Sequence, residues 1–220
     1  MQKSDETRRK ILTAALALFR KEGFEKSTMR EVAQRAGVAT GAAYYYFDSK
    51  DALVLAFYEQ AAEELWPLAR KAAGSAKGLA AKLREVILVK IEYFAENRDV
   101  LRALLRTGAD PKHPLSPFSR QTKLIRDADV ELFAEIVRDS GVKVPKDLLP
   151  YVPEALWLYQ MGIIYFWLTD ESPRQERSRR LIEVSAKTVA GLLELASLPL
   201  TKGLRKPVVD LMQVVLEKNA

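Results

Sequence analysis

Residues 28–50 read TMREVAQRAGVATGAAYYYFDSK, two short helical patterns pinched around Gly37. Thr28 is placed to cap a helix through its hydroxyl while Glu31, three residues on, reaches back to the cap amide, so a capping box opens the segment. Val32, Ala33 and Ala36 supply one apolar stripe. Gly37 follows the last periodic residue, where a left-handed backbone ends a helix without Cβ strain. Val38 is placed to plug the space under the turn, and a second helix can start at Ala39 or Thr40. That leaves a connection of about three residues, as a helix-turn-helix requires. Ala33, Gly37 and Ala43 fall where the two helices would approach most closely, and all three are small.

The second helix, roughly 39–46, is unusual in composition. Ala39, Thr40, Gly41 and Ala42 at its front carry no bulk, so the backbone can approach base edges and offer a hydroxyl and methyl groups to thymine. Three consecutive tyrosines follow, Tyr44, Tyr45 and Tyr46, pointing about 100° apart around the axis, so they cannot all enter one core. At least one hydroxyl should face out, within reach of a phosphate oxygen. An ordinary αα-hairpin with half-buried packing tyrosines is the alternative reading of the same residues.

Upstream, Ile11, Ala15, Leu18 and Phe19 recur at helical spacing, with acids early at Asp5 and Glu6, bases late at Arg20 and Lys21, and Gly23 closing the pattern. The run after Arg8-Arg9-Lys10 superficially resembles a signal peptide. It ends in Arg20-Lys21-Glu22 and offers no small-residue cleavage site, so export is not expected.

The chain has 220 residues, 48% of them hydrophobic, enough for a substantial core, and a net charge of +6. Residues 1–50 hold 10 Lys/Arg against 6 Asp/Glu, whereas residues 51–220 hold 25 against 23. The basic surplus sits where a nucleic acid would dock, although charge alone is a weak pointer. With no cysteine there is no disulfide or thiolate metal site, which suits a cytoplasmic protein. The single histidine, His113, removes most catalytic triads and zinc sites. No catalytic residue, metal ligand or cofactor is expected.

Beyond the reader the pattern is helical nearly throughout. Leu53, Phe57, Ala61, Leu65 and Leu68 trace a long fourth helix that Pro67 should bend or finish, with AAGSAKG at 72–78 as the break. Leu79, Leu83, Val86, Ile87, Ile91 and Phe94 mark a fifth, 98–107 a short sixth, 108–117 a proline-rich loop, and Leu124, Ala128, Leu132, Ile136 and Val137 a seventh. Residues 152–168, VPEALWLYQMGIIYFWL, are apolar all round, with Glu154 and Gln160 as the clearly polar side chains. The run is shorter than the about 20 residues that cross a bilayer, so it reads as a helix buried on several sides. One protomer can hardly cover it, and a partner subunit packing on it and on the helix near 174–196 would supply the missing side. Pro199 and Gly203 break the chain, and Pro207 opens a final helix over 207–218.

The stretch GxxxxTMREVAQRAGVATGAAYYYFDSKDAL resembles the N-terminal domain of the TetR family of bacterial transcriptional regulators. The likeness runs without a gap over about residues 7–60: Gly23-Phe24, a Thr-initiated second helix, Ala36-Gly37-Val38, a Gly41-x-x-Tyr44-x-x-Phe47 recognition helix, and Ser49-Lys50-Asp51-x-Leu53 opening helix 4. One departure is Ala43, where the family commonly has a larger aliphatic, so packing of the recognition helix should lean more on the tyrosines.

The resemblance implies an all-α fold: an N-terminal three-helix helix-turn-helix DNA-binding domain over 1–50 and a larger C-terminal helical ligand-binding and dimerisation domain over 51–220. It implies a homodimeric, cytoplasmic regulator of double-stranded DNA, most simply a ligand-released repressor on a palindromic operator, with no membrane partner. Carried over by position, Arg30 reaches a base or phosphate, Thr28 and the helix 2 N-terminus meet a phosphate, and Thr40, Gly41 and Ala42 face the bases. Tyr44 and Tyr46 contact backbone or base, Tyr45 packs inside, and Lys50 anchors a phosphate. A lysine at a helix start opposes the dipole, which also favours an anionic partner there. A small-molecule effector, apolar or aromatic, with an acyl chain as one option, would enter a pocket among helices 5 to 8, with Tyr93, Phe94, Trp157, Met161, Tyr165 and Trp167 as lining candidates and core or dimer interface as the alternative reading of each. A bundle enzyme and a protein-binding helical adaptor are the rival functions, and no catalytic motif supports the first.

Overall fold

The computed structural model describes residues 2–216, and among them there are ten α-helices and no strand. The last two residues of the expected 207–218 helix lie outside them. The helices are α1 (Gln2–Glu22), α2 (Met29–Ala36), α3 (Thr40–Tyr46), α4 (Lys50–Ser75), α5 (Gly78–Phe94), α6 (Arg98–Gly108), α7 (Lys123–Asp139), α8 (Val152–Thr169), α9 (Glu176–Ala196) and α10 (Lys202–Leu216). Packing groups them into two compact units among the described residues, one up to residue 64 together with 94–126 and the other of 65–93 together with the residues from 127 on.

The first unit is built on α1, whose Ile11, Leu12, Ala15, Leu18 and Phe19 are all buried. The helix stops at Gly23, in the left-handed region at φ 88°. Phe19 then meets Phe24 edge to face at 5.2 Å, closing the corner into α2. The 109–122 segment is irregular but held: Ser116 Oγ donates to the Gly108 carbonyl at 2.8 Å, Thr122 Oγ1 to that of Ser116 at 2.7 Å, and Arg126 to that of Pro117 at 2.7 Å. Side chains thus satisfy backbone groups that no helix reaches.

The second unit has a core of Leu79, Leu83, Val86, Leu132, Phe133, Ile136, Trp157 and Ala186. Helices α8 and α9 lie together, with a hydrogen bond of 2.7 Å between the Tyr159 and Ser185 hydroxyls. Asp170, 3% exposed, accepts from the Ser178 amide and hydroxyl at 2.8 and 2.6 Å and from the Ser172 amide at 2.9 Å, which secures the start of α9. Burial would raise its carboxyl, but the Ser178 hydroxyl and the donors from Ser172 outweigh that and hold it well below the ordinary 3.8.

Pro67, expected to bend or finish the fourth helix, does not finish it: α4 runs on to Ser75, inside the 72–78 stretch read as its break. The proline deprives the Glu63 carbonyl of its intrahelical donor, a loss of about 3 kcal/mol in a helix interior. Continuing the helix buries Ala69 and Ala73 and sets Arg70 in a two-pronged pair with Glu135 at 2.9 and 3.1 Å, and these contacts prevail. The final helix starts at Lys202 rather than Pro207. A 3-10 turn over Pro199–Thr201 leads straight into it, pinned by Thr201 Oγ1 on the Leu195 and Leu198 carbonyls at 3.1 and 2.8 Å. No helix among the described residues is long and apolar enough to cross a membrane.

Candidate nucleic-acid interface

The cap of α2 is built as its spacing requires. Thr28 has extended backbone, its hydroxyl accepts the Glu31 amide at 3.3 Å, and its own amide and hydroxyl each donate to Glu31 Oε2 at 2.8 Å. These donors, the Thr28 hydroxyl first and its amide second, hold the Glu31 carboxyl below its ordinary value. The hydroxyl proton of Thr28 is therefore already committed. The first intrahelical bond runs from the Val32 amide to the Thr28 carbonyl at 3.0 Å. The amides of Met29 and Arg30 lie ahead of it, so backbone donors carry the positive end of this helix. Arg30 projects into solvent beside them.

Gly37 ends α2 at φ 69° and ψ 32°, with the Val38 amide closing back on the Ala33 carbonyl at 3.0 Å. A Cβ at Gly37 would have nothing within 4 Å. The glycine is needed for its left-handed backbone, and the expected close approach of the helices falls on Ala33 and Ala43, both fully buried. Ala39 caps α3 without a side-chain bond, and Ala39, Thr40 and Gly41 are exposed with Ala42 half-buried. A Cβ at Gly41 would also meet open space. The front of α3 is bare, as its composition suggested.

The tyrosines sort differently from the expectation. Tyr45, expected inside, is 83% exposed and Tyr44 51%, while Tyr46 is half-buried. The reason is angular: Ala43 and Phe47 point inward one turn apart, and Tyr45, two residues from each, stands about 200° round from both. The recognition helix therefore rests on Ala43 and Phe47 and does not lean on tyrosines to make up for the small residue. Tyr46 packs edge to face on Tyr45 at 5.2 Å and donates to Ser4 Oγ of α1 at 3.3 Å. Arg8 lies 5.1 Å over the Phe47 ring, tying α1 to the end of α3.

Lys50 opens α4 next to the Ser49 cap, which accepts the Ala52 amide at 3.1 Å. Its ammonium donates to the Phe24 carbonyl at 2.7 Å and the Glu25 carbonyl at 3.3 Å and stands 4.5 Å over the Phe24 ring. The dipole argument for an anion at Lys50 is thus answered within the chain, because two carbonyls of the α1–α2 corner already offset the mismatch. One N–H of the three remains for an outside acceptor.

The effector candidates do not form one cluster. Trp157 is buried in the second unit's core, with Met161 packed at its edge. Trp167 is buried, Tyr93 half-buried, and Tyr165 59% exposed, on the outside of α8. Phe94 belongs to the first unit and packs on Phe57 at 6.0 Å. Sequence reasoning missed a polar group in the second unit: Lys90, Asp129, Gln160 and Trp66, from four helices. Lys90, 3% exposed, donates to both Asp129 oxygens at 2.7 Å, and burial pushes its ammonium pKa down, offset in part by Asp129. The available signal was Gln160, a polar residue within the apolar run.

The family profile described as "Bacterial regulatory proteins, tetR family" matches residues 11–57, and "Tetracyclin repressor-like, C-terminal domain" matches residues 82–211. The chain is 24% identical over 172 residues to the HTH-type transcriptional activator FasR of Mycolicibacterium smegmatis, covering 77% of this chain and 75% of that one. It spans only 38%, 50% and 54% of three further curated regulators, two from Bacillus subtilis and one from Mycobacterium tuberculosis. Among solved structures it resembles the repressor FadR of Thermus thermophilus, in complex with lauroyl-CoA, at 25% identity and TM-score 0.55, covering 80% of this chain and 92% of that one. FadR of Bacillus halodurans shares the fold at TM-score 0.65 and 14% identity, covering 84% and 95%.

Proposed function

This chain belongs to the TetR family of bacterial regulatory proteins, and from that premise we propose that it is a DNA-binding transcriptional repressor released from a palindromic operator by a small molecule. Its relatives are transcriptional regulators, not enzymes. The observation that carries the reading is the bare, exposed front of α3 on a capped helix-turn-helix, a rod able to lie in a major groove. In the proposed complex Thr40, Gly41 and Ala42 face the bases, and Arg30 reads a base or pairs with a phosphate. The α2 N-terminus at Thr28, the Tyr44 and Tyr45 hydroxyls and the free N–H of Lys50 take phosphates, while the Tyr46 hydroxyl proton is held by Ser4. Residues 1–50 act as the reader and 51–220 as the receiver.

One such helix covers only a few base pairs, so a two-fold pair is required, reading half-sites about 34–36 Å apart. The surface supports it: Val184, Leu192 and Leu195 on α9 and Tyr165 on α8 are exposed apolar residues, and Gly162, Thr188 and Gly191 between them are small or short. We assign this strip as the homodimer face. A fatty acyl thioester is the proposed effector class, because the FadR relative at 25% identity was solved with lauroyl-CoA. An effector shifts the equilibrium only by its preference for one state, about 1.4 kcal/mol for each tenfold change. A cytoplasmic location follows from this function.

Fluorescence anisotropy of the chain's own upstream region, measured across a salt series with and without lauroyl-CoA, tests the reading. Saturable binding by two protomers with a steep salt dependence supports it. Binding indifferent to salt and sequence defeats it, and tight DNA binding unmoved by lauroyl-CoA defeats the effector class alone.

A further inference from the structure

The polar group inside the second unit has one unmatched atom. Asp129 is its centre: Lys90 Nζ donates to Oδ1 and Oδ2 at 2.7 Å each, Trp66 Nε1 to Oδ1 at 3.3 Å, and Gln160 Nε2 to Oδ2 at 3.1 Å. An ionised carboxylate only accepts, so it fixes the Gln160 amide with nitrogen toward Asp129 and oxygen away. That oxygen, Oε1, is fully buried and accepts no hydrogen bond within the protein, on a residue 1% exposed. Buried polar atoms are nearly always matched. Trp157 and Ile163, three residues to either side on the same face of α8, are buried and apolar around it.

Resting on the reading of the C-terminal half as an effector receptor, we infer that Gln160 Oε1 is the polar anchor of that receptor, accepting a hydrogen bond from a neutral hydroxyl or amide N–H on an otherwise apolar stretch of the effector. The charge balance selects neutrality. Lys90 and Asp129 already cancel, so a second buried ion would stand unpaired, whereas a neutral donor completes the group without adding charge. The Trp157 face supplies the apolar wall on which the effector lies.

Decanol and decyl methyl ether separate the donor from everything else. Both accept hydrogen bonds and carry the same alkyl chain, and only the alcohol donates. Isothermal titration of the full chain should show decanol binding about threefold to tenfold more tightly, the worth of one neutral hydrogen bond. Gln160→Met keeps the volume and removes the acceptor, so its two affinities should agree within about twofold by the same reasoning. The wild-type comparison stands even where that variant folds poorly. Equal affinities in the wild type, binding of neither probe, or a preference that survives in Gln160→Met each overturn the anchor. None of these outcomes touches the DNA titration, which fails or succeeds separately.

Discussion

Replacing Lys50 with methionine tests whether one ammonium both braces the reader and touches DNA. The methionine keeps most of the apolar stem and deletes the charge. Lost are the bonds to Phe24 O at 2.7 Å and Glu25 O at 3.3 Å and the placement 4.5 Å above the Phe24 ring. The short bond involves a charged donor, worth about 1.5–3 kcal/mol when protected, and Lys50 is half-buried, so the lower end applies. The long bond contributes little, and the ring about 0.5–1 kcal/mol. The expected loss is about 2 kcal/mol in urea melts followed by far-UV circular dichroism. The third N–H, as a phosphate contact, adds a second effect: the slope of log affinity against log salt falls by about 0.9 for each protomer, on specific and scrambled duplexes alike. Stability unchanged to within about 0.5 kcal/mol, the range of ordinary surface substitutions, would refute the bracing geometry. Stability lost with the salt slope intact would refute the phosphate contact and leave Lys50 as a brace.

Other outcomes follow from the same structure. Gly37→Ala should cost about 1–2 kcal/mol through backbone strain alone, since the new methyl meets nothing, and Gly37→Asn should recover part of it; a neutral alanine in urea melts would rule out the left-handed cap. Asp170→Asn should lose about 2–3 kcal/mol at neutral pH, because an amide nitrogen cannot accept from Ser178. The native carboxyl titrates below its unfolded value of 3.8, so its stabilisation is present above that value and drains away as pH falls through the lower folded one. The gap between wild type and Asp170→Asn should therefore narrow in acid, and a gap independent of pH would contradict the assignment. Tyr45→Ala should leave the melting curve in place, given 83% exposure, yet weaken DNA binding about tenfold for a lost phosphate bond; unaltered anisotropy would remove Tyr45 from the interface.

Much of this protein lies in local chemistry that a linear sequence displays. A capping box needs only Thr28 and Glu31 three apart, a left-handed stop needs only Gly37, and the eight-residue α2 follows from both. Apolar periodicity likewise marks α5, α7 and α9, because each buries one stripe. The tyrosines show where such reasoning ends. Periodicity says that three neighbours point three ways, and it cannot say which way is inward until Ala43 and Phe47 have chosen their side. That α4 continues past Pro67 and α10 starts ahead of Pro207 lies beyond the sequence for a related reason: a proline's local penalty is legible, but the contacts that outweigh it come from residues far along the chain, such as Glu135 beside Arg70.

The buried group around Asp129 belongs wholly to tertiary structure. Lys90, Asp129, Gln160 and Trp66 sit 24 to 94 positions apart in sequence numbering, each on its own helix, and apart from the place of Gln160 in an apolar run nothing local sets the polar ones off from surface residues. Only the packing of four helices buries Lys90 and Gln160 and brings the half-buried Asp129 and Trp66 against them, and it is that loss of solvent that turns scattered polar side chains into a matched ion pair with one acceptor left over. The sequence alone determined a helical chain with a helix-turn-helix at its start, since those features depend on neighbours within a turn or two. Which tyrosine faces outward, what Lys50 holds and where a polar anchor lies inside the core were settled by contacts between distant segments.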